Sequence, residues 1–160
     1  MNSSPRLLVG TDGSPASERA VRWTADFART TAADVILVHV VSTVVEWVLS
    51  AVQIDFVGVE KEHQELLETT WSDPLRAAGV PVRTLLRRGD AAKVLNEVAE
   101  HEEADLVIVG QAGRGAIGVP RLGGVTLRLA HHTTRPLVIV PTRAGPSPAR
   151  SPSVAGGAER

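Results

Sequence analysis

Short apolar runs alternate along the chain with longer segments in which apolar residues recur every third or fourth position. β-Branched apolar runs bounded by turn-forming residues are typical of strands that are covered on both faces of a sheet. The longer segments have the period of amphipathic helices. The short runs predict strands at residues 7–9, 35–41, 106–109 and 137–140, and a fifth strand is predicted at residues 82–86, between two helical segments.

Turn-forming residues after the first strand end in Ser14 and Pro15, which are typical of a helix cap and of the first helical position. The helix that follows is predicted to run for about four turns, and further helices are predicted at residues 60–78, 91–103 and 125–133. Residues 42–59 are apolar without a clean period and predict an irregular excursion. Because parallel crossovers must travel back over the sheet, the alternation predicts a doubly wound α/β fold, an open sheet of about five mainly parallel strands with helices on both faces.

The composition is that of a globular protein, with 43% hydrophobic and 22% charged residues. A formal net charge of -1 provides no field that would concentrate nucleic acid or a membrane surface, so neither partner is expected. The absence of cysteine excludes disulfides, thiolate nucleophiles and cysteine-bound zinc. The most apolar region is interrupted by His39, Glu46 and Asp55, and the first residues do not resemble a signal peptide, so we expect a soluble cytoplasmic protein.

The last part of the sequence differs in composition from the rest. Residues 143–160 are rich in Pro, Gly, Ser and Ala and contain almost nothing that a core could bury. We therefore expect one domain over residues 1–142, followed by a flexible tail over residues 143–160.

Glycine is concentrated in residues 110–126, which contain six of the fourteen glycines of the chain. Ligands of open α/β sheets bind beyond the carboxyl ends of the strands, where the strand order reverses. Glycine-rich backbone that enters a helix presents N–H groups and a positive dipole end to a phosphate. The segment therefore predicts a phosphate site made of Gly110, Gly113, Gly123 and Gly124, with the Thr126 hydroxyl as a further donor. The alternative is that the glycines only form a turn, although a tight turn needs one or two of them.

The spacing Gly110-x2-Gly113-x9-Gly123 lies between ADLVIV on one side and RPLVIVP on the other, and VGTDGS and LVHVV mark the first two strands. In these motifs, over residues 6–142, the chain resembles the universal stress protein family of UspA type, in its ATP-binding branch. The resemblance implies a Rossmann-like fold of the adenine nucleotide alpha hydrolase kind. It also implies ATP or another adenine nucleotide as ligand, with Mg²⁺ as a candidate counter-ion, although no metal ligand is identified.

The resemblance assigns roles to residues that match the family motif. The phosphates would lie against Gly110, Gly113, Gly123, Gly124 and Val125. The adenosine would lie near Thr11 and Asp12, with Val40 against the base and Gly89 on the nucleotide side. The family also implies a homodimer through the last strand, which begins at Leu137 and ends at Pro141, and an unpaired apolar edge independently favours a symmetric partner.

The sequence departs from the family motif at two places. Gly124 stands where the family usually has Ser or Thr, so a hydroxyl contact is lost while the backbone N–H remains. Removing one hydrogen bond to a charged group costs about 1.5–3 kcal/mol, which predicts weaker binding rather than none. Gln111 and Ala112 replace the usual pair between the first two glycines, and Pro120 interrupts the approach to the last helix.

Several polar residues allow two interpretations. Asp12 could hold a ribose hydroxyl or a magnesium-bound water, or it could form an Asx turn. Arg114 could reach a phosphate or remain solvated. His39 is interpreted as a core imidazole. The adjacent His131 and His132 would point about 100° apart on a helix and so do not form a metal pair.

Three functions are consistent with these features. The first is a nucleotide-responsive stress or regulatory protein that needs binding and not turnover. The second is a slow ATP-hydrolysing or phosphoryl-transfer enzyme, although no general base or lysine for the γ-phosphate can be identified in the sequence. The third is a dimeric scaffold that binds no nucleotide. The motif favours the first, and no catalytic residue is assigned.

Overall fold

The computed structural model describes residues 4–42, 56–112 and 122–142. The described residues form a single sheet and the helices that cover it. The strands are β1 (Arg6–Thr11), β2 (Asp34–Val41), β3 (Val82–Arg88), β4 (Leu106–Gly110) and β5 (Leu137–Val140). The helices are α1 (Pro15–Thr31), α2 (Phe56–Glu68), α3 (Asp73–Ala77), α4 (Ala91–His101) and α5 (Gly124–His132).

The sheet has the order β3-β2-β1-β4-β5, and each neighbouring pair is parallel. The chain builds outward from β1 through β2 to β3, then returns to the other side of β1 for β4. The strand order therefore reverses between β1 and β4, which is where open α/β sheets bind ligands. The predicted doubly wound α/β fold is confirmed.

Two apolar clusters cover the two faces of the sheet. Successive residues of a strand point to opposite faces, and in β1 the buried Leu7 and Val9 join one cluster while Leu8 joins the other. The first cluster includes residues of α1, with Leu67 of α2 and Leu75 of α3. The second includes Leu95 of α4 and Leu129 of α5. The helices thus lie on both faces, as the alternating pattern predicts.

The predicted helix over residues 60–78 is wrong in its continuity. The structure has two helices, α2 and α3, separated by a turn at residues 69–72. Pro74 lies in the first turn of α3, because a proline inside a longer helix would lack an amide donor and would clash with the preceding turn. The amide of Trp71 donates to the Leu66 carbonyl at 2.8 Å, which closes the end of α2. The break turns Trp71 toward β2.

Other boundaries differ by smaller amounts. β3 continues to Arg88, where the sequence predicts a turn, because Arg87 and Arg88 pair with Val40 and Val41 of β2. The exposed edge of β3 therefore ends in arginines, whereas the edge strand β5 is apolar throughout. Among the described residues, we find no helix with both the length and the apolar character needed to cross a bilayer.

Candidate functional site

The candidate site lies at the carboxyl ends of β1 and β4, where the strand order reverses. β1 ends at Thr11, β4 ends at Gly110, and α5 begins close by at Gly124. A hydrogen bond from the Gly123 amide to the Gln111 carbonyl, 2.8 Å long, brings the start of α5 to the end of β4. The described ends of the second loop, at Gly110 and Gly123, thus lie at the same edge of the sheet as the loop after β1.

The loop between β1 and α1 satisfies its own amides. The amide of Gly13 donates to the Thr11 hydroxyl at 3.3 Å, that of Ser14 to Asp12 Oδ1 at 3.0 Å, and that of Ser17 to the Ser14 hydroxyl at 3.3 Å. Ser14 is the N-cap of α1, so the helix start is closed by protein side chains. Asp12 forms the Asx turn that was one of its two interpretations. Its contact with a nucleotide stays a prediction.

The start of α5 is capped differently. Its N-cap is Gly123, which offers no side-chain acceptor, and the Leu127 amide makes the first backbone bond of the helix, 2.8 Å to the Gly123 carbonyl. The amides of Gly124, Val125 and Thr126 precede that bond, so helix geometry gives them no intrahelical acceptor. Three N–H groups and the positive end of a helix dipole therefore converge here, which is the arrangement that binds phosphate.

Thr126 has a partner other than the predicted phosphate. Its side chain is buried, and the hydroxyl donates to the Gly110 carbonyl at 2.9 Å. This bond fastens the first turn of α5 to the last residue of β4. Thr126 therefore positions the helix, and its backbone amide, rather than its hydroxyl, is left for an anion. The amide of Gly123 is likewise engaged, since it donates to Gln111.

Gly110 has a packing role that the sequence did not reveal. A Cβ atom at this position would lie 2.7 Å from both the carbonyl carbon and the oxygen of Ala16, and 3.1 Å from the amide nitrogen of Ser17. These are backbone atoms of the first turn of α1 and cannot rotate away. Glycine is therefore required at this position by the close approach of β4 to α1, and the predicted approach to a phosphate is not needed to explain it.

The remaining predicted residues fall into two groups. Gly113, Arg114 and Pro120 lie outside the described residues. Val40 is partly buried on the face covered by α4 and α5, near the end of β2. Gly89 follows β3 with φ +134° and donates its amide to the Val41 carbonyl at 3.0 Å, so this turn requires a residue that tolerates positive φ.

His39 is a buried core imidazole, as the sequence interpretation held. Its Nδ1 lies 2.8 Å from the Thr11 carbonyl, and its Nε2 lies 3.1 Å from Nδ1 of His63. A carbonyl only accepts hydrogen bonds, so Nδ1 carries the hydrogen toward Thr11. Trp71 packs edge-on against the ring, with centroids 4.9 Å apart. His63 and Trp71 have no sequence signal for this position, because they reach His39 from α2 and from the turn that follows it.

His131 and His132 are the last two residues of α5. The rings of His131 and His132 are tilted, with centroids 6.4 Å apart. Across residues 4–42, 56–112 and 122–142, no cluster of three or more His, Cys, Asp or Glu side chains is arranged to hold a metal ion.

Asp90 connects two helices beside the site. It is the N-cap of α4, and its Oδ1 accepts the Lys93 amide at 3.0 Å, while Oδ2 pairs with the guanidinium of Arg128 in α5. The backbone hydrogen bond from Lys93, then the hydrogen bond from Arg128, hold the pKa of Asp90 below its ordinary value. The sequence signal was an Asp directly before a helical segment, and the contact with α5 could not be predicted from it.

Replacing Asp90 with alanine is expected to lower the free energy of unfolding by about 1 kcal/mol at neutral pH, mainly through the lost cap. Because the folded-state pKa is lowered, the carboxylate stabilises the protein above its ordinary pKa, and this contribution is lost as the pH falls below about 4. Urea unfolding at pH 7 and at pH 3 measures both effects. The difference in the free energy of unfolding between wild type and Asp90→Ala should shrink at pH 3. Asp26→Ala, on the exposed surface of α1, should lower the free energy of unfolding by less than Asp90→Ala does at neutral pH. An equal cost at both pH values would contradict the assignment.

Comparisons with known proteins identify the family of this fold. The model of the universal stress protein family matches residues 4–141. The chain belongs to the universal stress protein family. A universal stress protein of Mycolicibacterium smegmatis is 31% identical over 140 residues, which cover 84% of this chain and 47% of that protein. One from Mycobacterium tuberculosis is 33% identical over 134 residues, 83% of this chain and 44% of the relative. The chain thus spans about half the length of these relatives.

Solved structures with the same fold include two universal stress proteins. One, in complex with cAMP, is 25% identical, covers 89% of this chain and 100% of its own, and superposes with a TM-score of 0.68. The protein MJ0577 has a TM-score of 0.72 at 23% identity, covering 89% of this chain and 99% of its own. A third, from Archaeoglobus fulgidus in complex with dAMP, has a TM-score of 0.63 at 17% identity, covering 88% of this chain and 99% of its own. The last two show the fold alone.

Proposed function

We propose that this universal stress protein binds an adenine nucleotide at the carboxyl edge of its sheet and acts as a nucleotide-responsive regulatory protein. The observation that carries the proposal is the start of α5, where the amides of Gly124, Val125 and Thr126 converge without a side-chain cap. The start of α1 lies at the same edge but is closed by Ser14 and Asp12. The difference between the two helices favours α5 as the phosphate subsite.

The nucleoside part is proposed to lie across the ends of β1 and β2. Thr11 and Asp12 would then contact the ribose side, and Val40 the base, with Gly89 beyond it. Gly113 and Arg114 would complete the phosphate side. Gly110 packs the end of β4 on α1, and Gly123 joins the start of α5 to Gln111. The relative solved with cAMP supports an adenine nucleotide as the ligand class. ATP is the nucleotide that the glycine spacing favours, with Mg²⁺ as an accompanying ion.

The proposed role requires binding and not catalysis. Isothermal titration of the purified chain with ATP, AMP and cAMP, each with and without Mg²⁺, should give saturable heat for at least one of them. Mass spectrometry of the small molecules that co-purify should find the same compound. No heat and no thermal shift at millimolar nucleotide would contradict the proposal. Phosphate release above a mock-purified control would show turnover instead.

We also propose that the protein forms a homodimer through β5. The two edges of the sheet differ, because β3 carries Arg83, Arg87 and Arg88, whereas β5 is the apolar sequence LVIV. Arginine on an edge strand opposes pairing with another chain, and a partly buried apolar edge favours it. Sedimentation at tens of micromolar protein should give twice the chain mass of 16.9 kDa. A monomer at that concentration would contradict the proposal.

A further inference from the structure

Gln111 connects three parts of the fold that meet beside the proposed phosphate site. Its amide donates to the Val140 carbonyl at the end of β5, at 2.8 Å, and its carbonyl accepts the Gly123 amide at the start of α5, also at 2.8 Å. Its side-chain oxygen accepts the Thr142 amide at 3.0 Å and faces the Thr142 hydroxyl at 3.4 Å. One residue thus holds both the N-cap of α5 and the chain that leaves β5.

Thr142 lies beyond the last ladder bond of the sheet. β5 ends at Val140, and Thr142 is exposed. Its amide is held by the Gln111 side chain, and its carbonyl accepts a hydrogen bond from the Arg19 guanidinium of α1. Removing the Gln111 side chain would therefore release the Thr142 amide without removing a strand hydrogen bond.

The backbone carbonyl of Gln111 holds the helix start that forms the proposed phosphate subsite. This carbonyl fixes Gly123, and Gly123 in turn accepts the first backbone bond of α5 from Leu127. The direction of the amides of Gly124, Val125 and Thr126 depends on this anchor. An anion bound to those amides would restrict the start of α5, and with it the peptide of Gln111.

We propose that Gln111 is a positioning residue that couples nucleotide binding at α5 to the order of the chain at Pro141 and Thr142. This inference rests on the proposed nucleotide site. Coupling between two sites is reciprocal, so a nucleotide should slow the exchange of the Thr142 amide, and release of Thr142 should weaken the nucleotide.

Hydrogen exchange of the segment 137–142, measured on the full chain with and without saturating ATP and Mg²⁺, tests the coupling. In the wild type, ATP should slow exchange at Thr142. In Gln111→Ala, exchange at Thr142 should be fast with or without ATP, and the affinity for ATP should fall about tenfold, within the usual range of such couplings. Gln111→Glu retains acceptor oxygens for the Thr142 amide and should restore the response.

The matched control is Gln64→Ala, which removes a glutamine that pairs with Glu68 on the exposed face of α2. It should bind ATP and respond like the wild type. If Gln111 were purely structural, Gln111→Ala would lower the stability of the protein but leave the ATP-dependent change in exchange intact. That result would overturn the proposal. ATP binding by the wild type with no change in segment 137–142 would also overturn it while leaving the nucleotide site standing. No ATP binding by the wild type would end both proposals.

Discussion

Replacing Gly110 with alanine is expected to lower the free energy of unfolding by about 3 kcal/mol, because the new methyl group would overpack a rigid contact. It would lie 2.7 Å from two backbone atoms of Ala16, far inside normal contact distance. The first turn of α1 cannot move without disturbing the cap at Ser14 and the buried hydroxyls of Thr11 and Ser17. Urea unfolding followed by circular dichroism measures the loss.

Two other glycines provide a graded comparison. At Gly10 the added methyl would meet only side-chain methyls, those of Leu95 at 3.1 and 3.4 Å and one of Val109 at 3.5 Å. These side chains can adjust, so a cost of about 1 kcal/mol is expected. At Gly124 the space is open, and alanine should be neutral or slightly stabilising. If Gly110→Ala lowered the free energy of unfolding by no more than Gly10→Ala does, β4 and α1 could separate to admit the methyl group. That result would contradict the packing role of Gly110.

Replacing Gly124 with proline is expected to weaken nucleotide binding by tenfold or more. Gly124 is the first helical residue of α5, where proline fits without strain, and Gly123 before it is extended, with φ -61° and ψ 156°, as a residue before proline prefers. The substitution removes one N–H from the proposed phosphate subsite. A hydrogen bond to a charged group is worth about 1.5–3 kcal/mol, which corresponds to roughly 10- to 150-fold in affinity.

The same position supplies the controls. Gly124→Ala retains the N–H and should bind as the wild type does. Gly124→Ser retains the N–H and adds a hydroxyl at the proposed phosphate subsite, so it should bind about tenfold more tightly. All three proteins should unfold at similar urea concentrations, so the affinities can be compared directly. Equal affinity of the proline and alanine variants would contradict a phosphate at these amides.

β1, β2, β4 and β5 were predictable because each contains a run of apolar residues, and both faces of a parallel sheet must be covered. The helical segment after residue 59 was harder to predict. Leu67, Trp71, Leu75 and Ala78 share one side of an ideal helix, so periodicity alone favoured a single element. Pro74 was the signal for a break, since proline is tolerated only in the first turn. The prediction ended β3 two residues early. Arg87 and Arg88 belong to the strand because they pair with Val40 and Val41 of β2, and a local pattern does not reveal that pairing.

At the site, the sequence predicted the location better than the roles. Glycines near a helix start indicated an anion site, and α5 begins within one residue of the predicted position. The reasons for individual residues depend on contacts that span the chain. Gly110 packs on Ala16, and the Thr126 hydroxyl meets the Gly110 carbonyl. Neither contact has a local sequence signal, because a glycine or a threonine near a loop is as consistent with ligand binding as with packing inside the protein.

The most direct measurement is an amide chemical-shift titration of the ¹⁵N-labelled chain with ATP and Mg²⁺. The largest changes are expected at Gly124, Val125 and Thr126, because their N–H groups would exchange water for phosphate as hydrogen-bond acceptor. The amides of Gly13 and Ser14 should change little, since they already have acceptors within the β1–α1 loop. Large changes at Gly13 and Ser14 with none at α5, or no changes at either place, would contradict a phosphate subsite at the start of α5.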